Sequence, residues 1–93
     1  MAIVPNHALR QLRAGKLAIG MGVNQARTVG IATLAKTAGF DWLFIDGEHS
    51  SMDGDDAAQL STAALGAGGT PIVRGAGFGH WHASRVVRNG AQG

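Results

Sequence analysis

Three side chains able to exchange protons or bind cations crowd into four positions, Asp46, Glu48 and His49, directly after an apolar run. Carboxylates and an imidazole so placed suit general acid–base chemistry or the activation of metal-bound water. The alternative is that Asp46 caps the following loop while Glu48 and His49 are solvated. Arg74 stands at the end of a second apolar run, Pro71 to Arg74. Its planar, permanently charged fork fits a carboxylate or a developing enolate oxygen. The competing role for Arg74 is a salt bridge to Asp46 or Glu48 that closes the end of the fold.

Other candidates are weaker. His80 and His82 resemble a metal pair, but residues two apart on a helix point to nearly opposite sides. Gly75, Gly77 and Gly79 could cradle an anion ahead of a helix, yet their spacing matches neither the dinucleotide fingerprint nor the P-loop. Arg85 and Arg88 read as a solvated helix face near a helix end, where positive charge is favourable.

The elements that must position these groups are legible. Asn6 can cap a short helix from His7 to about Ala14, stopped by Gly15. Leu17 to Val23 has the length and apolar character of a strand. Gln25 to Ala38 carries apolar residues at helical spacing and ends at Gly39. Asp41 to Asp46 is a second strand, whose alternation puts Trp42, Phe44 and Asp46 on one face and Leu43 and Ile45 on the other. Asp53 can cap a helix from about Asp55 to Leu65, before Gly66, Gly68 and Gly69. Pro71 to Arg74 is the third strand and Gly79 to Asn89 the last helix, closed by Gly90. Continuous apolar strands joined by helices indicate an α/β fold with parallel strands covered on both faces. One helix and three β-α units form the first part of a (β/α)₈ TIM barrel, whose usual length is about 250 residues. Residues 1–93 therefore read as a single partial domain, and reacting groups belong at the carboxyl ends of its strands.

Composition narrows the class. The chain has 93 residues, 45% hydrophobic and 15% charged, and lacks cysteine. That excludes default disorder, a disulfide framework and thiolate chemistry. A net charge of +2 without a basic cluster is a weak footprint for nucleic acid despite a pI near 10.0, so no nucleic-acid partner is expected. No apolar run reaches a membrane span and no leader pattern opens the chain, so a cytoplasmic location with no membrane partner is expected. Glycine is in excess, fifteen of 93 residues, about twice the usual ~7%, and shows no strict period.

Four segments carry a family resemblance: Ile19–Gly22, Gly39–His49, Pro71–Arg74 and Asn89–Gly93. In this order they resemble the HpcH/HpaI aldolase/citrate lyase family, which includes the class II metal-dependent pyruvate aldolases such as 4-hydroxy-2-oxoheptanedioate aldolase and 2-keto-3-deoxy-sugar-acid aldolases. The Phe-Asp-Trp-x-x-Ile-Asp-x-Glu-His string, from Phe40 to His49, is its most specific part. The resemblance implies a barrel, usually hexameric, in which a divalent cation (Mg²⁺, Mn²⁺ or Co²⁺) chelates a small 2-oxo acid. It assigns His49 to proton transfer, Arg74 to the keto or enolate oxygen, and Asp46 and Glu48 to shaping the pocket. The family's metal ligands, a Glu and an Asp on later strands, are expected beyond Gly93. An aspartate commonly stands where this chain has Arg88; a cation there would lower the His49 pKa if it came near.

The expectation is a truncated metal-dependent lyase of 2-oxo acid aldols, yielding pyruvate and an aldehyde and inactive as this chain alone. A non-catalytic fragment or pseudoenzyme that assembles with a partner is the alternative, and an anion-binding α/β module a lesser one.

Overall fold

The computed structural model describes residues 4–48, 53–75 and 80–93, with the side chains of His80 and His82 also outside the description. The elements in chain order are α1 (His7–Arg13), β1 (Gly20–Val23), α2 (Gly30–Thr37), β2 (Trp42–Asp46), α3 (Gly54–Ala67), β3 (Thr70–Arg74) and α4 (His80–Arg88). The expected order of one helix followed by three β-α units is observed. The strands form one parallel sheet in the order β1-β2-β3.

Local chemistry sets the boundaries. Asn6 accepts a hydrogen bond from the Leu9 N–H and starts α1. Asp53 and Asp56 make a reciprocal capping box at the start of α3, which satisfies two otherwise orphaned donors. The Asp56 N–H is the largest reason the Asp53 carboxyl lies below its ordinary pKa. Gly68 ends α3 in the left-handed region, φ +85°, which a side chain would resist. Two elements are shorter than their apolar patterns suggest. β1 begins at Gly20, not Leu17, and Leu17 is 76% exposed. α2 begins at Gly30, not Gln25, and Val29 at its start makes no side-chain cap.

The core lies between the sheet and α2 and α3. Val23, Leu43 and Ile45 from the strands meet Ala32, Ala35, Ala57, Leu60 and Ala64 from the helices. Alanines at the contact let the helix backbones approach the sheet closely, while Ile45 and Leu60 fill the centre with no exposed surface. Each such aliphatic side chain contributes about 1.5–3 kcal/mol. The helices cover one face of the sheet; on the other, the inner face, Trp42, Phe44, Ile72 and Arg74 remain partly exposed. The expectation that both faces are covered is therefore met on one side only in this chain.

Beyond α4 the chain returns alongside β3. The Gln92 N–H donates to the Pro71 carbonyl and the Val73 N–H to the Gly93 carbonyl. The amino-terminal ends of the strands are closed by α1. Thr70 Oγ1 accepts from the Ala8 N–H at 2.9 Å and donates to Asn6 Oδ1 at 3.2 Å. Asp41 Oδ2 accepts from the Ile19 N–H at 2.9 Å, and Oδ1 lies 2.8 Å from His7 Nε2. The Ile19 N–H first, and His7 second, hold the Asp41 carboxyl below its ordinary pKa.

Candidate functional site

Parallel register brings the carboxyl ends of β2 and β3 level. Asp46 is paired with Arg74, as Phe44 is with Ile72 and Trp42 with Thr70, so alternation sets all six on the inner face. Gly47 then turns the chain out. Its N–H donates to the Arg74 carbonyl at 2.9 Å, and a Cβ on Gly47 would stand 2.9 Å from that same oxygen. Only glycine lets the two strand ends approach so closely.

The side chains meet as strand alternation implies. Arg74 Nε donates to Asp46 Oδ1 at 3.1 Å and Nη2 to Oδ2 at 2.5 Å, a two-pronged pair of the strong, directional kind. Hydrogen bonding to Asp46 is the largest cause that pushes the Arg74 pKa above its already high value, so the guanidinium stays charged. Asp46 Oδ1 also accepts from the Glu48 N–H at 3.0 Å. The two alternatives noted for these residues, a loop cap for Asp46 and a salt bridge for Arg74, are both present. They do not exhaust Arg74. Its side chain is 39% exposed, and among the described residues its Nη1 group has no hydrogen-bond partner. The end of the sheet therefore offers a fixed cation with donors to spare.

Phe44, which residue spacing did not single out for chemistry, lies beside this group. The Arg74 Cζ stands 5.3 Å from its ring centroid, within cation–π range. The signal available in the sequence was only that Phe44 and Asp46 share a face.

The remaining candidates divide between described and undescribed residues. His49 and the glycines Gly77 and Gly79 lie outside the described residues. The His80 and His82 side chains do too. Glu48 is exposed. Arg88 occupies the last turn of α4, four residues before Gln92, whose backbone meets Pro71 near the amino-terminal end of β3. Within this chain that places Arg88 toward the opposite end of β3 from Arg74. A cleft of about 560 Å³ opens beside Arg74 and Gly75, but its walls include Ala57, Ala58 and Val86 from the helices. It lies on the helix-covered side of the sheet, away from Phe44 and Asp46.

A divalent cation needs several oxygen or nitrogen donors in one place. Among the described residues no three His, Asp or Glu side chains gather closely enough to hold one. The Asp46 carboxylate is already engaged by Arg74 and the Glu48 N–H. The described residues thus do not form a cation site of their own. Among them, also, no helix is long and apolar enough to cross a membrane.

Comparison with known proteins identifies the relatives. No family model matches the chain. A 4-hydroxy-4-methyl-2-oxoglutarate aldolase of Chaetomium globosum is 42% identical over 69 residues, 74% of this chain and 26% of that protein. An aldolase of the same name from Hapsidospora irregularis is 36% identical across 100% of this chain and 35% of its own length. The 2-keto-3-deoxy-L-rhamnonate aldolase of Escherichia coli K12 is 33% identical over 78% of this chain and 27% of its own. The chain thus spans about a quarter to a third of the length of these relatives. Among solved structures, an HpcH/HpaI aldolase from Desulfitobacterium hafniense superposes with a TM-score of 0.86 at 26% identity, over 94% of this chain and 34% of that one. The citrate synthase SbnG superposes with a TM-score of 0.79, also at 26% identity, over 89% of this chain. Sequence and fold together make the chain a relative of the HpcH/HpaI-type aldolases, matching about a third of the solved enzyme.

Proposed function

We propose that this chain supplies part of the active site of a carbon–carbon lyase that cleaves or forms 2-oxo acid aldols, with pyruvate and an aldehyde as the cleavage products. The observation that carries this reading is the Arg74 guanidinium at the carboxyl end of the sheet, clamped along one edge by Asp46 and leaving Nη1 without a described partner. Retro-aldol cleavage removes the proton from the substrate hydroxyl and breaks the adjacent carbon–carbon bond. The electron pair passes to the 2-oxo oxygen as an enolate, which is then protonated on carbon to give pyruvate. Negative charge therefore grows on one oxygen during the reaction. A fixed donor aimed at that oxygen stabilises the transition state more than the ground state, and Arg74 is the donor.

His49, three positions after Asp46 in the sequence, takes the proton-transfer role at the hydroxyl that the family resemblance gives it. Asp46 orients Arg74, and Glu48 borders the pocket. The divalent cation implied by the family resemblance would draw its ligands from groups other than those described. The aldolases named above, which act on a branched 2-oxo dicarboxylate and on a deoxy sugar acid by name, support this substrate class. A hexameric assembly belongs to the same proposal.

A hybrid tests the reading. This chain replaces the corresponding third of the Desulfitobacterium hafniense aldolase, and pyruvate release from a 4-hydroxy-2-oxo acid is followed with Mg²⁺, Mn²⁺ or Co²⁺ added. The hybrid is expected to release pyruvate. A hybrid that matches the parent in melting temperature and assembly size yet releases none would contradict it. That outcome would favour the second reading, a non-catalytic segment that assembles with a partner, which the partly exposed inner face of the sheet supports.

A further inference from the structure

On the inner face of the sheet, side chains from β2 and β3 form a continuous column that starts over β1 and ends at Arg74. Gly20 begins it. A Cβ on Gly20 would fall among the atoms of the Trp42 indole, so the ring occupies the space that a side chain on β1 would fill. The indole reaches across β1, its Nε1 3.4 Å from the Ala18 carbonyl. Trp42 then meets Phe44 edge to face, with centroids 6.5 Å apart and planes at 88°. That is an arrangement the charge distribution of aromatic rings favours. The Phe44 ring in turn faces the guanidinium, 5.3 Å from centroid to Cζ.

The column supplies what the ion pair cannot. Two parallel hydrogen bonds to Asp46 fix one edge of the guanidinium, but the plane can still swing about the line joining the two carboxylate oxygens. A ring held beside the guanidinium removes that swing. We propose that Phe44, backed by Trp42 and seated by the bare backbone of Gly20, is a positioning residue that sets the plane of the Arg74 guanidinium. Only the consequence for substrate, that the Nη1 donors are thereby aimed at the 2-oxo oxygen, rests on the function proposed above. Gly20 touches neither Arg74 nor a substrate on this account, yet one added methyl there must displace the indole and disturb the whole column. Gly22 provides the control. It shares the strand and face of Gly20, but a Cβ on it would meet nothing within 4 Å.

The test uses the ¹⁵N-labelled 93-residue chain and reads the Arg74 Nε–Hε resonance by NMR, with the backbone amide spectrum as the control for folding. In the wild-type chain, Phe44→Tyr and Gly22→Ala, this resonance is expected as one sharp peak carrying the ring-current shift of the aromatic face. In Phe44→Leu and Gly20→Ala the shift is expected to collapse while the amide spectrum stays dispersed. Should Gly20→Ala fail to fold, the Tyr and Leu variants at position 44 decide alone, because both fill the site and only one keeps an aromatic face. An Arg74 resonance unchanged in Phe44→Leu overturns the proposal, as does a Gly22→Ala change as large as that of Gly20→Ala. Oxalate, a flat dianion resembling the enolate of pyruvate, reads the consequence. Its affinity is expected to fall by a few-fold to about tenfold in Phe44→Leu and to be retained in Phe44→Tyr. If the resonances behave as expected but oxalate fails to bind the wild-type chain, the positioning stands and the oxyanion role of Arg74 falls.

Discussion

Asp41 and Asp46 flank the same short strand five positions apart, with side chains 14% and 9% exposed, yet their surroundings differ in kind. Asp41 is enclosed by its own fold: the Ile19 N–H takes one oxygen and His7 the other. Asn6 and Thr70 complete a network nearby that ties α1 to the amino-terminal ends of the strands. At the opposite end, Asp46 faces a cation that has more donors than the carboxylate can use. Asp41 joins α1 to the strands, with one partner from its own fold on each oxygen. A carboxylate that steers an underused guanidinium prepares that guanidinium for something else. On the function proposed above, one strand separates a stabilising end from a reactive one, as expected when chemistry sits at the carboxyl side of a parallel sheet.

If the division is real, substitutions at the two ends should fail in different assays. The largest effect is expected for His49→Ala in the hybrid aldolase. Loss of a general base costs on the order of 10²–10⁴-fold in turnover, with the melting temperature nearly unchanged, as stopped assays and calorimetry would record. Thr70→Val should show the reverse. It keeps the volume but strands the Ala8 N–H and leaves Asn6 Oδ1 with only the Leu9 N–H, for about 1–3 kcal/mol of stability. Urea unfolding of the 93-residue chain measures that loss. A small domain has only about 5–15 kcal/mol in total, so the shift in midpoint should be plain.

Asp41→Asn is expected to cost less at neutral pH, about 1–2 kcal/mol, and to reveal itself through pH. The folded-state pKa of Asp41 is depressed, so its contribution is fully present above the ordinary carboxylate pKa. It is lost as pH falls through the folded-state value. The wild-type chain should therefore lose stability on acidification from pH 5 more steeply than Asp41→Asn. Parallel curves for the two proteins would remove Asp41 from the account. Asp53 titrates with the same sign and is common to both, so it drops out of the difference.

Much of this contrast was readable before any coordinates. Asn6 and Asp53 announced helix starts by residue type, and strand alternation placed Asp46 and Arg74 in one mouth. Those readings depend on local chemistry and on the two-residue period of a strand. What the sequence did not disclose depends on tertiary register. His7 and Asp41 are separated by 34 positions, and nothing local marks them as partners. The seating of Trp42 over Gly20 follows from how β1 and β2 align, which fixes which glycine lies beneath which ring. The start of α2 at Gly30 and not Gln25 was not legible, because the apolar residues that marked the helix begin only at Val29, which is not of a capping type. His49, the residue to which the family resemblance gives the most chemistry, lies outside the described residues. Its role rests on sequence and on its place just after Asp46.

The most direct test compares Arg74→Met with Asp41→Asn in the hybrid aldolase, measuring kcat for pyruvate release and melting temperature side by side. Removing a donor that stabilises developing charge is expected to lower kcat by about 10²–10³-fold in a protein still folded at the assay temperature, its melting temperature lowered by the loss of the Asp46 pair. Asp41→Asn is expected to lower the melting temperature and leave kcat within a few-fold. An Arg74→Met protein that turns over like its parent, or an Asp41→Asn protein that keeps its stability and loses its turnover, would contradict the assignment of chemistry to one end of β2 and support to the other.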